Sequence, residues 1–321
     1  MDLSVEAIGI EELKGGNPFQ TPFWAQLKRL NHWSGSAFRV SCASFDGTVL
    51  VLTRRICRLF TLAYIPFGFS EAFTSDDLIS FARALSPLLP DDTLLLRTDV
   101  AWGCLFEDSP LLHSCRSSVQ PEGTVRIDLS GELDFRQRVG RNLRKEAAVV
   151  VRPWQGDEEE FHAWYETYVH TSLRDHFSTR SESYIRSLFD ISDPSVKPVL
   201  YLAWSDGQIS GGILNLRTAD EELYLFGSSV KHTGNISCGY SLQSHAILEA
   251  RAAGVGTYDM FGIDGMDGEG HLASLTTFKT AFGGSRVYRS PTVDFIYRPL
   301  AGRIFRMADS LRFFLARRSR I

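Results

Sequence analysis

Apolar and polar positions alternate along the chain in short runs, and amphipathic stretches of helical period separate them. The first half opens with LSVEAIGI (3–10), whose alternation predicts a strand. A helix should follow, since Thr21 suits an N-cap, Pro22 suits a first turn, and Phe23, Leu27 and Leu30 recur on one face. FRVSCASF (38–45) and TVLVLTRR (48–55) read as a hairpin joined at Asp46-Gly47. TLAYIPFGF (61–69) reads as extended, DDLISFARALSPLL (76–89) as a helix and TLLLRTD (93–99) as a strand.

The second half follows the same order. TVRIDLS (124–130) is a predicted strand, DFRQRVGRNLRKEAAV (134–149) a helix and VVVRPW (149–154) a strand, followed by helices over 158–173 and 181–189. VLYLAWSDGQISGGILNLR (199–217) is a predicted hairpin turning at Asp206-Gly207. A strand (222–229), a helix (240–254) and the strand TYDMFGI (257–263) complete the pattern. Both halves carry a hairpin with a DG dipeptide, and an Ala/Arg-rich helix leading to a strand that ends near an aspartate. FARALSPLLPDDTLLLRTD (81–99) is matched in this by LEARAAGVGTYDM (248–260). A duplicated α/β unit is expected, with a boundary near SVQPEGT (118–124), where polar residues, Pro121 and Gly123 interrupt the pattern.

Composition narrows the class of protein. With 321 residues, 44% apolar and 22% charged, the chain has the make-up of a globular protein of two ordinary domains. A net charge of −4 excludes a generally basic polyanion binder, so any nucleic-acid contact must use a local patch. Five cysteines, odd in number and without a CxxC pair, fit a reducing cytoplasm. The N-terminus has the acids Asp2 and Glu6 where a signal peptide needs a basic start, and the apolar run over 48–69 is broken by Arg54, Arg55 and Arg58.

Several signatures are missing: no GxxxxGK[ST] phosphate loop, no GxGxxG after a strand, no zinc spacing and no GxSxG elbow. Lys279 sits in SLTTFKTAFGG (274–284) beside Phe278 and three residues before Phe282. Such a lysine is either a desolvated cation placed where negative charge develops or a surface lysine whose neighbours pack inward. Asp99 ends a strand and serves equally as a site residue or a turn cap. Lys28 lies off the apolar stripe of its helix and reads as exposed. Arg180 and Tyr184, four apart at a helix start, can share an anionic ligand or simply stack.

Two basic segments stand out. RQRVGRNLRK gathers Arg136, Arg138, Arg141, Arg144 and Lys145, as a nucleic-acid grip or as a solvated helix face. The C-terminal RPLAGRIFRMADSLRFFLARRSRI holds seven arginines and one acid. Its Ile304, Met307, Ala308, Leu311 and Phe314 share a face, so a helix packed on the body with its arginines outward is expected, with anionic lipid or RNA as a second use. IDGMDGEG (263–270) lacks the alternating acids of a calcium loop.

Taken together, PFQTPFWAQLKRLNHW, LLLRTDVAW, VQPEGTVRIDLS with RVGRNLRKEA, SLRDHFSTRSESY, LYLFGSS, YDMFGI and TTFKTAFGG, in this order, resemble the FemABX family. That family adds amino acids from aminoacyl-tRNA to the peptide stem of peptidoglycan precursors. The resemblance implies an α/β chain of two GNAT-like domains in tandem, residues 1–122 with about 300–321 and residues 123–299. Only SDPSVKP (192–198) stands where the longer branches carry a coiled-coil arm, so the layout is that of the FemX-like branch.

The same resemblance implies roles for individual residues. Lys279 would stabilise the oxyanion near the tRNA ester, and Asp99, the strand-end acid of the groove, would share in catalysis by taking the proton of the acceptor amine or by orienting it. Lys28, Arg180, Tyr184, Tyr224 and Tyr258 would bind substrate, Tyr224 from the aromatic strand that lines the groove, and Phe278, Arg141, Arg144 and Lys145 would meet tRNA. Aminoacyl-tRNA then acts as co-substrate and no cofactor or metal is implied. Expected partners are that tRNA, a lipid-linked or soluble peptidoglycan precursor and, peripherally, the inner face of the cytoplasmic membrane. The ester is already activated, which agrees with the absent phosphate loop. VKHTGNISCG (230–239) does not fit the [RQ]xxGx[GA] pyrophosphate loop of acyl-CoA-dependent GNAT enzymes. An acyl-CoA or acyl-carrier donor, or a module that only binds, are the competing expectations.

Overall fold

The computed structural model describes residues 3–56, 58–115, 118–175, 177–230, 237–266 and 272–318. The chain runs β1 (Ser4–Ile8), α1 (Pro22–Arg29), β2 (Ser34–Ser41), β3 (Asp46–Ile56), β4 (Phe60–Gly68), α2 (Ser75–Leu85), β5 (Thr93–Val100) and β6 (Leu112–Ser114). It continues with β7 (Gly123–Asp128), α3 (Gln137–Lys145), β8 (Val150–Pro153), α4 (Glu158–Asp175), α5 (Glu182–Asp190), β9 (Lys197–Ser205) and β10 (Gln208–Arg217). β11 (Glu221–Ser229), α6 (Gly239–Ala252), β12 (Thr257–Asp259), α7 (Ala273–Lys279), β13 (Ser285–Tyr288), β14 (Val293–Ile296) and α8 (Pro299–Arg318) complete it.

Two compact units result, Met1–Gly123 with Asp264–Glu269 and Val287–Ile321, and Thr124–Ile263 with Gly270–Arg286. The return to the first unit begins at Val287, ahead of the expected residue 300, because β14 pairs antiparallel with β5 from Val293↔Thr98 to Ile296↔Leu95. Runs as short as β6, β13 and β14 give no period to read, and none of the three was anticipated.

The sheets share one plan. The first has the order β1-β2-β3-β4-β5-β14-β6 and the second, read in the same sense, β8-β9-β10-β11-β12-β7-β13. In each, four antiparallel strands lead to one parallel pair, β4 with β5 and β11 with β12, and an antiparallel strand follows. The sixth position is filled by β14 in one unit and by β7 in the other.

Local chemistry explains the elements. Thr21 caps α1 by accepting from the Trp24 N–H, and Thr74 and Asp77 form a reciprocal capping box on α2. Phe23 and Leu27 are buried as the spacing predicts, whereas Leu30 lies beyond the last full turn and is exposed. The second hairpin turns at Asp206-Gly207, both with positive φ (52° and 76°), as a two-residue turn requires. The first does not turn at Asp46-Gly47: these residues pair with Ser41 and Val40, and the loop is Cys42 to Phe45, closed by the Cys42 N–H donating to the Phe45 carbonyl. Phe45 packs edge-on against Phe69 and Phe73, which holds the longer loop against the core.

α8 also departs from expectation. Its inner side is polar, and its apolar positions Leu300, Ile304 and Met307 are exposed. No helix among the described residues is long and apolar enough to cross a membrane. Most of VKHTGNISCG and the end of IDGMDGEG lie outside the described residues.

Candidate active site

In the second unit the site forms where β11 and β12 part. Their parallel pairing ends at Leu223↔Asp259, and β11 continues alone through Tyr224 to Ser229 along that edge. Against β10, strand β11 carries an extra residue, Leu225, between the pairs Asn215↔Tyr224 and Leu214↔Phe226. Such a bulge re-aims neighbouring side chains.

After β12 the backbone turns left-handed at Phe261 and Gly262 (φ 49° and 62°). Asp259 organises this turn: its Oδ1 accepts from the Phe261 N–H at 2.8 Å and from Thr124 Oγ1 at 2.5 Å. The turn aims two carbonyls at Lys279, whose Nζ donates to Phe261 O and, at 2.8 Å, to Gly262 O. The same Nζ lies 5.3 Å from the centre of the Tyr224 ring. Two of three ammonium donors are thus engaged among the described residues, which leaves one for an incoming oxygen.

Lys279 ends α7 and is only 4% exposed, so the reading as a surface lysine fails. Burial lowers its pKa from 10.5 to about 7, and the charge of Asp259 works in the opposite direction. The carboxyl of Asp259 is itself pushed up, by burial first, while Thr124, the Phe261 N–H, Arg126 and Lys279 pull it down. Glu221, ion-paired with Arg126 at 2.7 Å, is raised to about 8 by burial and by the charge of Asp259. Asp259 Oδ2 and Glu221 Oε1 are buried without a hydrogen-bond partner among the described residues, so this acidic pair is costly unless it shares a proton.

The other expected residues of this unit lie in different settings. Phe278 is half-buried in an aromatic trio, 5.0 Å from Tyr240 and 5.3 Å from Phe282 between ring centres. Tyr258 is fully buried: its hydroxyl donates to Gln243 Oε1 (2.9 Å) and accepts from Asn215 Nδ2 (3.1 Å). It therefore braces the sheet under α6 and offers no surface to a substrate, contrary to expectation; Tyr224 is half-buried beside Lys279. Arg180 is exposed with its guanidinium 5.5 Å from the half-buried Tyr184 ring, and Ser181 caps the helix that carries Tyr184. Arg141, Arg144 and Lys145 are exposed on α3 with Arg138, while Val139 anchors the helix inward.

In the first unit Asp99 is completely buried. It accepts from Tyr64 Oη at 2.5 Å and from Thr292 Oγ1, and it pairs with Arg289 at 2.9 Å. Burial raises its pKa, and Arg289, Thr292 and Tyr64 oppose this. Arg289, unforeseen from the sequence, donates also to the carbonyls of Gln120, Pro121 and Ser290 and lies 5.2 Å from the Phe67 ring. Asp99 is thus a tied counter-charge with no oxygen at the surface, in place of the groove-lining acid expected. Lys28 is half-buried, its Nζ 4.4 Å from the Trp24 ring centre. Among the described residues no three metal-ligating side chains gather at one point.

Comparison with known proteins places this geometry. Residues 134–271 match the family model of the acetyltransferase (GNAT) domain. No curated protein matches the chain in sequence. Among solved structures, FemX superposes with a TM-score of 0.74 at 16% identity over 94% of this chain and 100% of its own. The L-PGS structure from Bacillus licheniformis gives 0.56 at 13% identity, with 94% of each chain covered. The C-terminal domain of a putative lysylphosphatidylglycerol synthetase from Agrobacterium fabrum gives 0.53 at 12% identity over 88% of this chain and 89% of that one. The paired sheets, each with one parallel step, together with these likenesses establish the architecture: the chain has the tandem GNAT-like fold of FemX.

Proposed function

We propose that the protein is an aminoacyltransferase that moves an amino acid from aminoacyl-tRNA to an amine of a peptidoglycan precursor, and that Lys279 supplies the charge stabilisation. The observation that carries this reading is the buried Lys279 amine, fixed by two carbonyls and the Tyr224 ring with one donor to spare. In the reaction the acceptor nitrogen attacks the ester carbonyl, and a tetrahedral oxyanion forms beside Nζ. The bond to the tRNA 3′ oxygen then breaks; the nitrogen gives up a proton and the tRNA hydroxyl gains one. A preorganised donor at a developing oxyanion lowers such a barrier by about 3 kcal/mol. Its pKa of about 7 means that the rising negative charge draws Lys279 toward its protonated form as the reaction proceeds.

In this scheme Asp259 positions Lys279 through the Phe261–Gly262 turn and keeps its charge available. Asp99 takes a supporting role, holding Arg289 and the strands of its own unit, because its oxygens already accept from three side chains. Lys28, Arg180 and Tyr184 are assigned to precursor and the basic face of α3 to tRNA.

The test is a donor-by-acceptor assay. Purified protein is incubated with labelled aminoacyl-tRNA or labelled acyl-CoA, and with UDP-MurNAc-pentapeptide or the lipid-linked precursor. Label passing from tRNA into a precursor is expected. Transfer from acyl-CoA, or binding of tRNA and precursor without turnover, overturns the proposal.

A further inference from the structure

The helix α8 is amphipathic in the reverse sense to an ordinary surface helix. Its polar positions face the first unit: Asp309 pairs with Arg97 at 3.0 Å, and Arg306 reaches Asp294 at 3.3 Å and the Ser114 carbonyl at 2.8 Å. Phe305 packs beside the Arg97 guanidinium, 5.9 Å from it. Gly302 is buried so close to β14 that a Cβ there would come within 2.5 Å of the Ile296 side chain. Positions 302, 305, 306 and 309 thus form one seam, spaced as the inner face of a helix should be.

The opposite face is apolar and open. Leu300, Ile304 and Met307 lie at i, i+4 and i+7 and are 80%, 69% and 74% exposed. In sequence, Leu311 and Phe314 extend the same spacing. Arg303 flanks the stripe and is exposed, and Arg312, Arg317, Arg318 and Arg320 follow in sequence. Asp309, the one acid between residues 298 and 321, pairs with Arg97, and among the described residues no carboxylate pairs with Arg303.

We propose that this face of α8 lies on a bilayer containing anionic phospholipid. The stripe enters the boundary between headgroups and acyl chains, and the exposed Arg303 meets lipid phosphates. A second copy of the chain would oppose arginine to arginine, and RNA would leave the stripe in water. The lipid surface answers both features at once. The proposal is independent of the transfer reaction, since binding is read without substrate.

Vesicle co-sedimentation of the full chain tests it, with phosphatidylcholine alone and with phosphatidylcholine and phosphatidylglycerol in equal parts. Binding to the anionic vesicles should exceed binding to the neutral ones by about tenfold or more and weaken as salt is raised. The triple variant Leu300→Ser, Ile304→Ser, Met307→Ser should lose on the order of 100-fold in affinity, because three apolar side chains no longer enter the interface. These side chains point to water, so the variant should keep the circular dichroism of the parent. Arg303→Glu, which leaves the stripe intact, should weaken binding to anionic vesicles alone. Equal recovery with both vesicle types overturns the proposal, as does no recovery. So does self-association abolished by the triple variant, or RNA binding lost with Arg303→Glu, when vesicle binding is absent.

Discussion

The two units build the same strand-end aspartate into different environments. Asp99 on β5 and Asp259 on β12 each follow the parallel step of their sheet, and each accepts from a threonine, Thr292 or Thr124, at the neighbouring sixth-position strand. In the first unit the parallel pairing resumes at Gly68↔Val100 beyond Asp99, and Arg289 closes the site with each of its three nitrogens bonded. In the second the pairing stops at Asp259, and the cation is a lysine held by backbone carbonyls. A duplicated scaffold has thus locked one buried charge into a side-chain ion pair and held the other on two backbone carbonyls. On the proposed function, the first arrangement serves stability and the second chemistry.

The largest effect that separates the two should come from the lysine. Lys279→Met removes the oxyanion donor while filling the space, and should lower the transfer rate by about 10²–10³-fold with substrate binding retained, as single-turnover kinetics would show. The reverse split is expected of Asp99→Ala. It strands Arg289 in the interior, which costs about 3–5 kcal/mol in urea unfolding.

A subtler break is Asp259→Asn, which keeps an acceptor for Thr124 and the Phe261 N–H but removes the charge that raises the pKa of Lys279. A lysine that must be protonated loses activity as pH rises through its pKa, so removing its counter-charge moves that alkaline limb to lower pH. The rate near about pH 8 should drop several-fold while the rate well below the limb is spared. The smallest effect is expected from the exposed face of α3. Replacing Arg141, Arg144 and Lys145 with alanine should weaken tRNA binding and flatten its salt dependence, with turnover at saturating tRNA preserved.

Much of this comparison was legible in the residue pattern, because strands and helices of ordinary length advertise their period. The repeated order of elements and an interruption near residues 118–124 followed from it, as did the interest of Lys279 between phenylalanines. What was not legible depends on distant partners. Arg289 has no local signature, since its acceptors come from residues 99, 120, 121 and 290. Asp259 was visible as a strand-end acid, yet its importance rests on a left-handed turn that holds Phe261, a residue type rarely found with positive φ. The stripe of α8 could be read as amphipathic, but its direction could not: Gly302 and Asp309 turn the polar side inward through contacts with β14 and β5.

The proposal turns on a buried Lys279 amine that is about half charged near pH 7 and charges fully when an oxyanion forms beside it. Titration of its Nζ by nitrogen-15 NMR, with and without a phosphonate analogue of the tetrahedral intermediate, tests this most directly. A pKa of about 7 in the free protein and a marked rise with the analogue bound are expected. A value at the ordinary 10.5, unmoved by the analogue, would contradict it.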